Sequence, residues 1–448
     1  MAGRQPSVGH VAIIGILTRK VEPITDTSRP GTTTGGLPGP TARRRLVTAV
    51  AASSLGDGLV VVAFPLLALR STTNALLISG LVVAARLPWL LVSLPAGAIV
   101  DRFDRRRVVA VVDLARAAIV AAVGAGAFLA TLPVEALYAA SFLVGAGETV
   151  VSAAVRSAIP LLSADDGVVA TNGQVSAAQT AGAQFAGPAL GGVAFAAAAS
   201  LPFVGDAASY VVSALLLRST LPGRDRAAPV ATSLGADITT GLRWFLANRL
   251  LRVLAVVVTS FAFCQAMVLG VLVLYATRDL HLGAAAYGVL LAVAAVGDVA
   301  ASLLARRVHG RLGPHATILL AGAGAAGGYL LLSSTSTAAI AALALALEAA
   351  ATSLGNVATL SARHRTIPAE RFGLVNNAFR MPVTGLIPLG ALAGGTLVTL
   401  VGLHTTFAVA GLVQLAVVAA TALPLRLVSS PPGAPPEPAG GLRPPAPG

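Results

Sequence analysis

The sequence predicts an all-α integral membrane protein of twelve transmembrane helices in two pseudo-symmetric six-helix bundles, and three observations carry that prediction. Of 448 residues, 56% are hydrophobic and only 11% charged, with a mean hydropathy of +0.82, against about 25% charged in soluble globular chains. The apolar residues fall in runs long enough for a helix to cross about 30 Å of hydrocarbon, which takes roughly 20 residues. Short basic clusters recur between alternate runs. The net charge of +13 would suggest a nucleic-acid partner in a soluble chain; here it reads as membrane topology, and no nucleic acid is expected.

Cutting the chain where arginines, Pro/Gly pairs or polar clusters interrupt the apolar runs gives twelve segments. Six lie near 46–69, 75–100, 108–132, 134–160, 168–199 and 201–217, and six near 253–276, 284–305, 315–335, 338–361, 372–401 and 403–427. The expected organisation is a disordered cytoplasmic tail over 1–45, a first bundle over 46–217, a linker over 218–252, a second bundle over 253–427 and a disordered tail over 428–448. The linker carries Pro222-Gly223 and six arginines. Both tails are Pro/Gly-rich, and the apolar stretch Val11–Leu17 is too short to span a bilayer and lacks a cleavage pattern.

Basic residues flank the cytoplasmic ends of membrane helices. Arg43–Arg45, Arg102 with Arg105–Arg107, the linker arginines, Arg306, Arg307 and Arg311, and Arg363, Arg365 and Arg371 share one side, whereas the opposite loops hold only Arg70 and Arg278. Both termini and the linker are therefore expected in the cytoplasm of a multi-pass bacterial plasma-membrane protein. The bilayer, protons and a small-molecule substrate are the expected partners of a monomer.

The halves repeat one another. Gly147-Glu148, ten residues, then Ile159-Pro160 returns as Gly355-Asn356, ten residues, then Ile367-Pro368; Gly187-x₃-Gly191-Gly192 returns as Gly390-x₃-Gly394-Gly395. Repeats of this kind point to alternating access around a midplane site.

After segment 2 the chain reads Gly97-Ala98-Ile99-Val100-Asp101-Arg102-Phe103-Asp104-Arg105-Arg106-Arg107. This resembles the loop 2–3 signature of the major facilitator superfamily, with Asp104 where the family commonly has glycine. The resemblance implies a conformational latch made of Gly97, Asp101, Arg102, Arg105 and Arg106, in which Gly97 permits close helix contact and Asp101 pairs with arginines and a helix N-terminus. The second half keeps the bases at Arg306, Arg307 and Arg311 but has Ala305 near the Asp position. Gly187-Pro188-Ala189-Leu190-Gly191-Gly192 looks like the core of the antiporter motif of exporting branches, although the upstream glycines, Gly173 and Gly182, stand one residue out of register. Ser54-Leu55-Gly56-Asp57-Gly58, Arg86-Leu87-Pro88-Trp89, Gly241-Leu242-Arg243-Trp244 and Tyr287-Gly288 are similar to the subgroup containing the enterobactin exporter and macrolide efflux proteins. That likeness implies proton-driven export of a drug, siderophore or secondary metabolite. An importer or facilitator of a small metabolite is the alternative.

A charge at the bilayer centre is costly and marks function. Asp57, Arg86, Glu148 and Glu348 fall mid-segment. In the superfamily fold, segments 1, 4, 7 and 10 line the central cavity, which implies that Asp57, Glu148 and Glu348 lie on its wall as proton-coupling candidates. Burial disfavours a charged carboxylate and a neighbouring guanidinium favours it, so Arg86 would drive proton release from Asp57 or Glu148. A static Asp57–Arg86 pair is the structural alternative. Ser260, Gln265, Met267 and Asn356 are candidates for the substrate cavity, which suits an amphipathic or cationic molecule better than a sugar. Scattered histidines, the single Cys264 and the lack of a phosphate-binding Gly-x₄-Gly-Lys loop give no support to an enzyme, a metal site, an ATP-driven pump or a bound cofactor.

Overall fold

The computed structural model describes residues 40–130, 132–162, 167–222 and 234–429. Most of both predicted tails and the middle of the linker lie outside the described residues. The first bundle comprises α1 (Pro40–Ser71), α2 (Ala75–Leu91), α3 (Ser93–Arg102), α4 (Arg105–Leu129), α5 (Val134–Leu162), α6 (Val168–Gln179), a π-helical stretch Thr180–Ala186, α7 (Gly187–Ala197) and α8 (Leu201–Thr220). There follow α9 (Leu234–Ala247), α10 (Arg249–Leu269), α11 (Leu272–Leu274) with a π-helical turn Tyr275–Asp279, α12 (Ala284–Ser333), α13 (Ala338–Thr366), α14 (Phe372–Val401) and α15 (Leu403–Ser429).

Nine of these helices are long and apolar enough to cross a bilayer, and α2 with Pro95–Arg102, meeting at 58°, makes a tenth span. α12 is itself two spans: the chain turns at Gly313 (φ 74°, ψ 170°) just before Pro314, a left-handed conformation that glycine adopts without a Cβ clash. α6 and α7, joined through the π-helical stretch, complete the twelve. That stretch precedes Pro188, whose missing N–H and bulky ring disrupt regular α-helical bonding; the Gly187 N–H reaches back five residues to the Gly182 carbonyl.

Local sequence explains where elements begin and where they differ from expectation. Pro40 opens α1 at a position that needs no N–H, so Arg43–Arg45 lie on its first turns and not in a tail. Asn74, Asp104 and Asn248 cap α2, α4 and α10 through their side chains. The residues expected to connect spans 8 and 9 are helical as far as Gly313. Part of the expected linker forms α9, which seats Gly241 on the Leu374 backbone and Phe245 edge-on to Phe379, ring centres 6.2 Å apart.

Each half packs through small residues, as expected where lipid offers no competing polarity. α1 lies on α7 and α8, α4 on α8 and α5, and α2 on α5; in the second half α10 lies on α14 and α15, and α12 on α13 and α15. The halves meet through α7 against α12 and α2 against α14, and the two contacts are pseudo-equivalent. A methyl group on Gly192 would come within 3.0 Å of the Gly288 Cα, and one on Gly395 within 2.8 Å of the Leu76 Cα. Arg278 Nη2 adds a 2.9 Å bond to the Thr73 carbonyl across the halves. All three contacts sit at the end opposite the arginine clusters.

Candidate functional site

The first half holds a charged network built around Arg116 of α4. Its side chain is 2% exposed, yet it reaches three acceptors: Asp57 Oδ1 at 2.9 Å, Asp113 Oδ1 at 3.2 Å and the Tyr210 hydroxyl at 2.8 Å. Its guanidinium also lies 3.9 Å from the Tyr210 ring centre, a cation–π contact strengthened by burial. Tyr210 donates its own proton to Asp57 Oδ1 at 2.6 Å, and Ser213 donates to Asp113 Oδ2 at 2.8 Å. Asp113 is fully enclosed, whereas the Asp57 side chain is 25% exposed. Of the two carboxylates on Arg116, Asp57 alone is open to its surroundings.

Helix packing brings these groups together. Asp113 and Arg116 are three residues apart on one face of α4, and Asp206, Tyr210 and Ser213 follow one another along one face of α8. Gly147 of α5 leaves room for the arginine stem, since a methyl there would meet its Cδ at 2.6 Å. In α1 the two glycines flanking Asp57 face opposite neighbours: Gly56 lies against Asp206 and Ser209, while a methyl on Gly58 would come within 2.8 Å of the Gly187 Cα. Asp206 is completely buried; its Oδ1 accepts from Ser209 at 3.2 Å and its Oδ2 has no partner.

Arg86 is exposed on α2 and does not bond to Asp57; the alternative of a static Asp57–Arg86 pair is not realised, and Asp57 pairs with Arg116 because α4 and α1 both pack on α8. Arg86 is instead an electrostatic neighbour of Glu148, which also feels Asp57 and Arg116. The Trp89 indole lies beside Glu148, its buried N–H outside direct hydrogen-bond reach. Arg156, exposed on α5, faces Arg380 of the second half and stands 5.8 Å from the Trp89 ring centre.

The second half has no comparable network. Glu348 is 5% exposed, and its Oε1 accepts from Tyr329 at 2.9 Å, Thr352 at 2.9 Å and Gln265 at 3.4 Å. All three donors are neutral, and among the described residues no cation pairs with it. Asn356 is exposed on α13. Ser260 donates to the Val257 carbonyl of its own helix at 2.8 Å, and Met267 is 1% exposed inside the packed core. Both had been read as cavity contacts; helix rotation directs Met267 into the interior, with its carbonyl against Gly394.

Residues 40–430 match the transmembrane secretion effector family. The chain belongs to that family, within the major facilitator superfamily. Among curated proteins, the multidrug efflux pump Tap of Mycolicibacterium fortuitum is 29% identical over 221 residues, which is 47% of this chain and 54% of Tap. The match thus spans about half of the pump's length. A bacterial homologue of the human lysosomal transporter Spinster, inward-facing and unoccupied, superposes with a TM-score of 0.66 at 17% identity over 88% of this chain and 98% of its own. The nucleoside transporter NupG superposes with a TM-score of 0.68 at 12% identity over 86% and 99%. The chain is a multi-pass membrane protein of this family, and its family and structural neighbours are transporters and not enzymes.

The motif residues of this family member fall into two groups. Gly187 and Gly191 of α7 press on Gly58 and Leu59 of α1, Gly192 reaches Gly288 across the halves, and Pro188 is buried between them. At the loop 2–3 signature the geometry differs from expectation. A methyl on Gly97 would meet nothing within 4 Å, so no close contact requires that glycine. Among the described residues Asp101, Arg102 and Arg105 form no ion pair. It is Asp104, the departure from the family pattern, that bonds locally, accepting from the Arg106 N–H at 3.0 Å, while Arg106 Nε donates to the Leu221 carbonyl at 2.5 Å and ties α4 to the end of α8.

Proposed function

We propose that this transporter is a proton-coupled antiporter that exports a small amphipathic molecule by alternating access, acting as a monomer in the bacterial plasma membrane with its arginine-rich end and both termini in the cytoplasm. The observation that carries the reading is the unequal pair of carboxylates on Arg116. Asp113 is enclosed and supplies a permanent counter-charge, so Arg116 stays neutralised whether Asp57 is charged or not. In this reading the partly exposed Asp57 is the carboxylate that exchanges protons. Glu148, between Arg86 and the Asp57 network, is the second group whose charge changes as the halves rock.

Efflux is supported by the partial likeness to Tap and by the packing of the Gly187–Gly192 motif against both α1 and the opposite half. The glycine contacts between the halves near one end support entry from the other, and the arginine distribution supports a cytoplasmic entry. The exposed Arg86, Arg156 and Arg380 indicate that acidic amphiphiles belong among the compounds tested, beside lipophilic cations, macrolides and catecholate siderophores.

The test is proton flux in proteoliposomes with an interior pH dye, each compound being added on the side matching the cytoplasm. Compound-triggered proton movement that is lost in Asp57→Asn supports antiport through Asp57. Full coupled transport by Glu148→Gln would remove Glu148 from the mechanism, and substrate movement without protons would identify a facilitator.

A further inference from the structure

The mechanism above leaves Asp206 unused. It is a fully enclosed carboxyl group with one oxygen unpartnered, on the same helix face as Tyr210 and one turn nearer the end opposite the arginines. Tyr210 is its neighbour along α8 and also bonds to Asp57. The charged groups that act on it are Asp57 of α1 and Arg116 of α4; neither bonds to its free oxygen. Beyond Asp206 towards that end, Phe203 packs edge-on against Phe64 with ring centres 5.3 Å apart. Phe203 is wholly buried and Phe64 is 8% exposed, and they stand further towards that end than Asp206 on α8 and Asp57 on α1.

We propose that Asp206 is the outer proton-binding station of the transporter, linked to Asp57 through the Tyr210 hydroxyl and closed from the outer side by the Phe64–Phe203 plug. The proton count balances at every step. The Asp206 O–H bond breaks as its proton passes to the Tyr210 oxygen, the Tyr210 O–H bond breaks as its proton passes to Asp57 Oδ1, and tyrosine ends with the composition it began with. Arg116 and Asp113 hold Tyr210 and Asp57 in place without exchanging protons. Opening of the plug when the halves rock lets Asp206 load from outside, and the proton passes on when the Tyr210 hydroxyl comes within hydrogen-bond reach of Asp206. The unpartnered oxygen leaves Asp206 with unused acceptor capacity in a buried site.

This inference rests on the proton-coupling reading, but its test does not need a substrate. Infrared spectra of the full chain in proteoliposomes, followed over time after transfer to D₂O, report each protonated carboxyl by its C=O stretch. The expected result is a band missing from Asp206→Asn whose shift on deuteration is slowed about tenfold in Tyr210→Phe, which removes the relay hydroxyl. Phe203→Ala is expected to speed the same shift. Tyr210→Phe keeps the carboxyl and nearly the whole side-chain volume, so it answers the question even if Asp206→Asn does not fold. The absence of any Asp206-dependent band, or an unchanged rate in Tyr210→Phe, overturns the proposal. Failure of antiport has a separate signature: the infrared behaviour persists, but no compound drives proton flux.

Discussion

The two bundles share a backbone plan and differ in how they hold their buried acids. In the first, one guanidinium serves two carboxylates, Asp113 sealed and Asp57 open. In the second, Glu348 is gripped on one oxygen by Tyr329, Thr352 and Gln265, all neutral donors. A carboxylate sharing a cation with a permanent rival can change charge without stranding that cation; one held by neutral groups is fixed by geometry and has no counter-charge to exchange. In the proposed reading, proton coupling belongs to the first half and the second half is a frame against which it moves.

The largest expected effect comes from removing the shared cation. Arg116→Met leaves Asp113 buried and unpaired, at a cost of about 3–5 kcal/mol, which should appear as a marked fall in the thermal unfolding midpoint in lipid nanodiscs. Adding Asp113→Asn to that variant should recover much of the loss, because neither charge is then stranded. A double variant no more stable than Arg116→Met would break the idea that Asp113 exists to balance Arg116.

Next in size is the contact between the halves. Valine at Gly192 must displace the Gly288 backbone, and overpacking of this kind costs about 1–3 kcal/mol, enough to move a two-state equilibrium roughly tenfold or more. The expected outcome is a shift towards the state open at that end, read as faster labelling of a cysteine placed at Thr73; the native Cys264 is buried and should stay silent. Labelling no faster than in the parent would show that this glycine contact does not hold the end closed. The smallest effect is expected at Glu348→Gln. The amide retains an acceptor oxygen for its neutral donors, so unfolding should shift by about 1 kcal/mol or less. A larger loss would show that Glu348 contributes more than hydrogen bonding.

Much of this was legible in the sequence. The twelve spans follow from run length and from the arginines between runs, and the repeated Gly-x₃-Gly-Gly became the paired contacts between α7 and α12 and between α2 and α14. Asp57 was visible as a mid-span acid. Its partner was not, because depth along a segment does not fix which neighbour a side chain turns towards: depth pointed to the mid-segment Arg86, and the seating of α1 and α4 on α8 brings Arg116 to Asp57 instead. The spacing Asp113-x₂-Arg116 and the series Asp206, Tyr210, Ser213 carried the missing signal, two polar stripes on helices otherwise apolar. Met267 shows the converse, since a residue type suited to a cavity wall turns into the core by helix rotation. The turn in α12 at Gly313 and the helix within the linker were hidden because polar or broken stretches can still be helical.

The most direct test of the contrast between the halves is compound-driven proton flux in proteoliposomes for Asp57→Asn beside Glu348→Gln, both reconstituted at equal amounts with folding verified by unfolding midpoint. The account predicts that Asp57→Asn abolishes proton movement while Glu348→Gln retains most of it. Retained flux in Asp57→Asn with flux lost in Glu348→Gln would contradict it and move the coupling site to the second bundle.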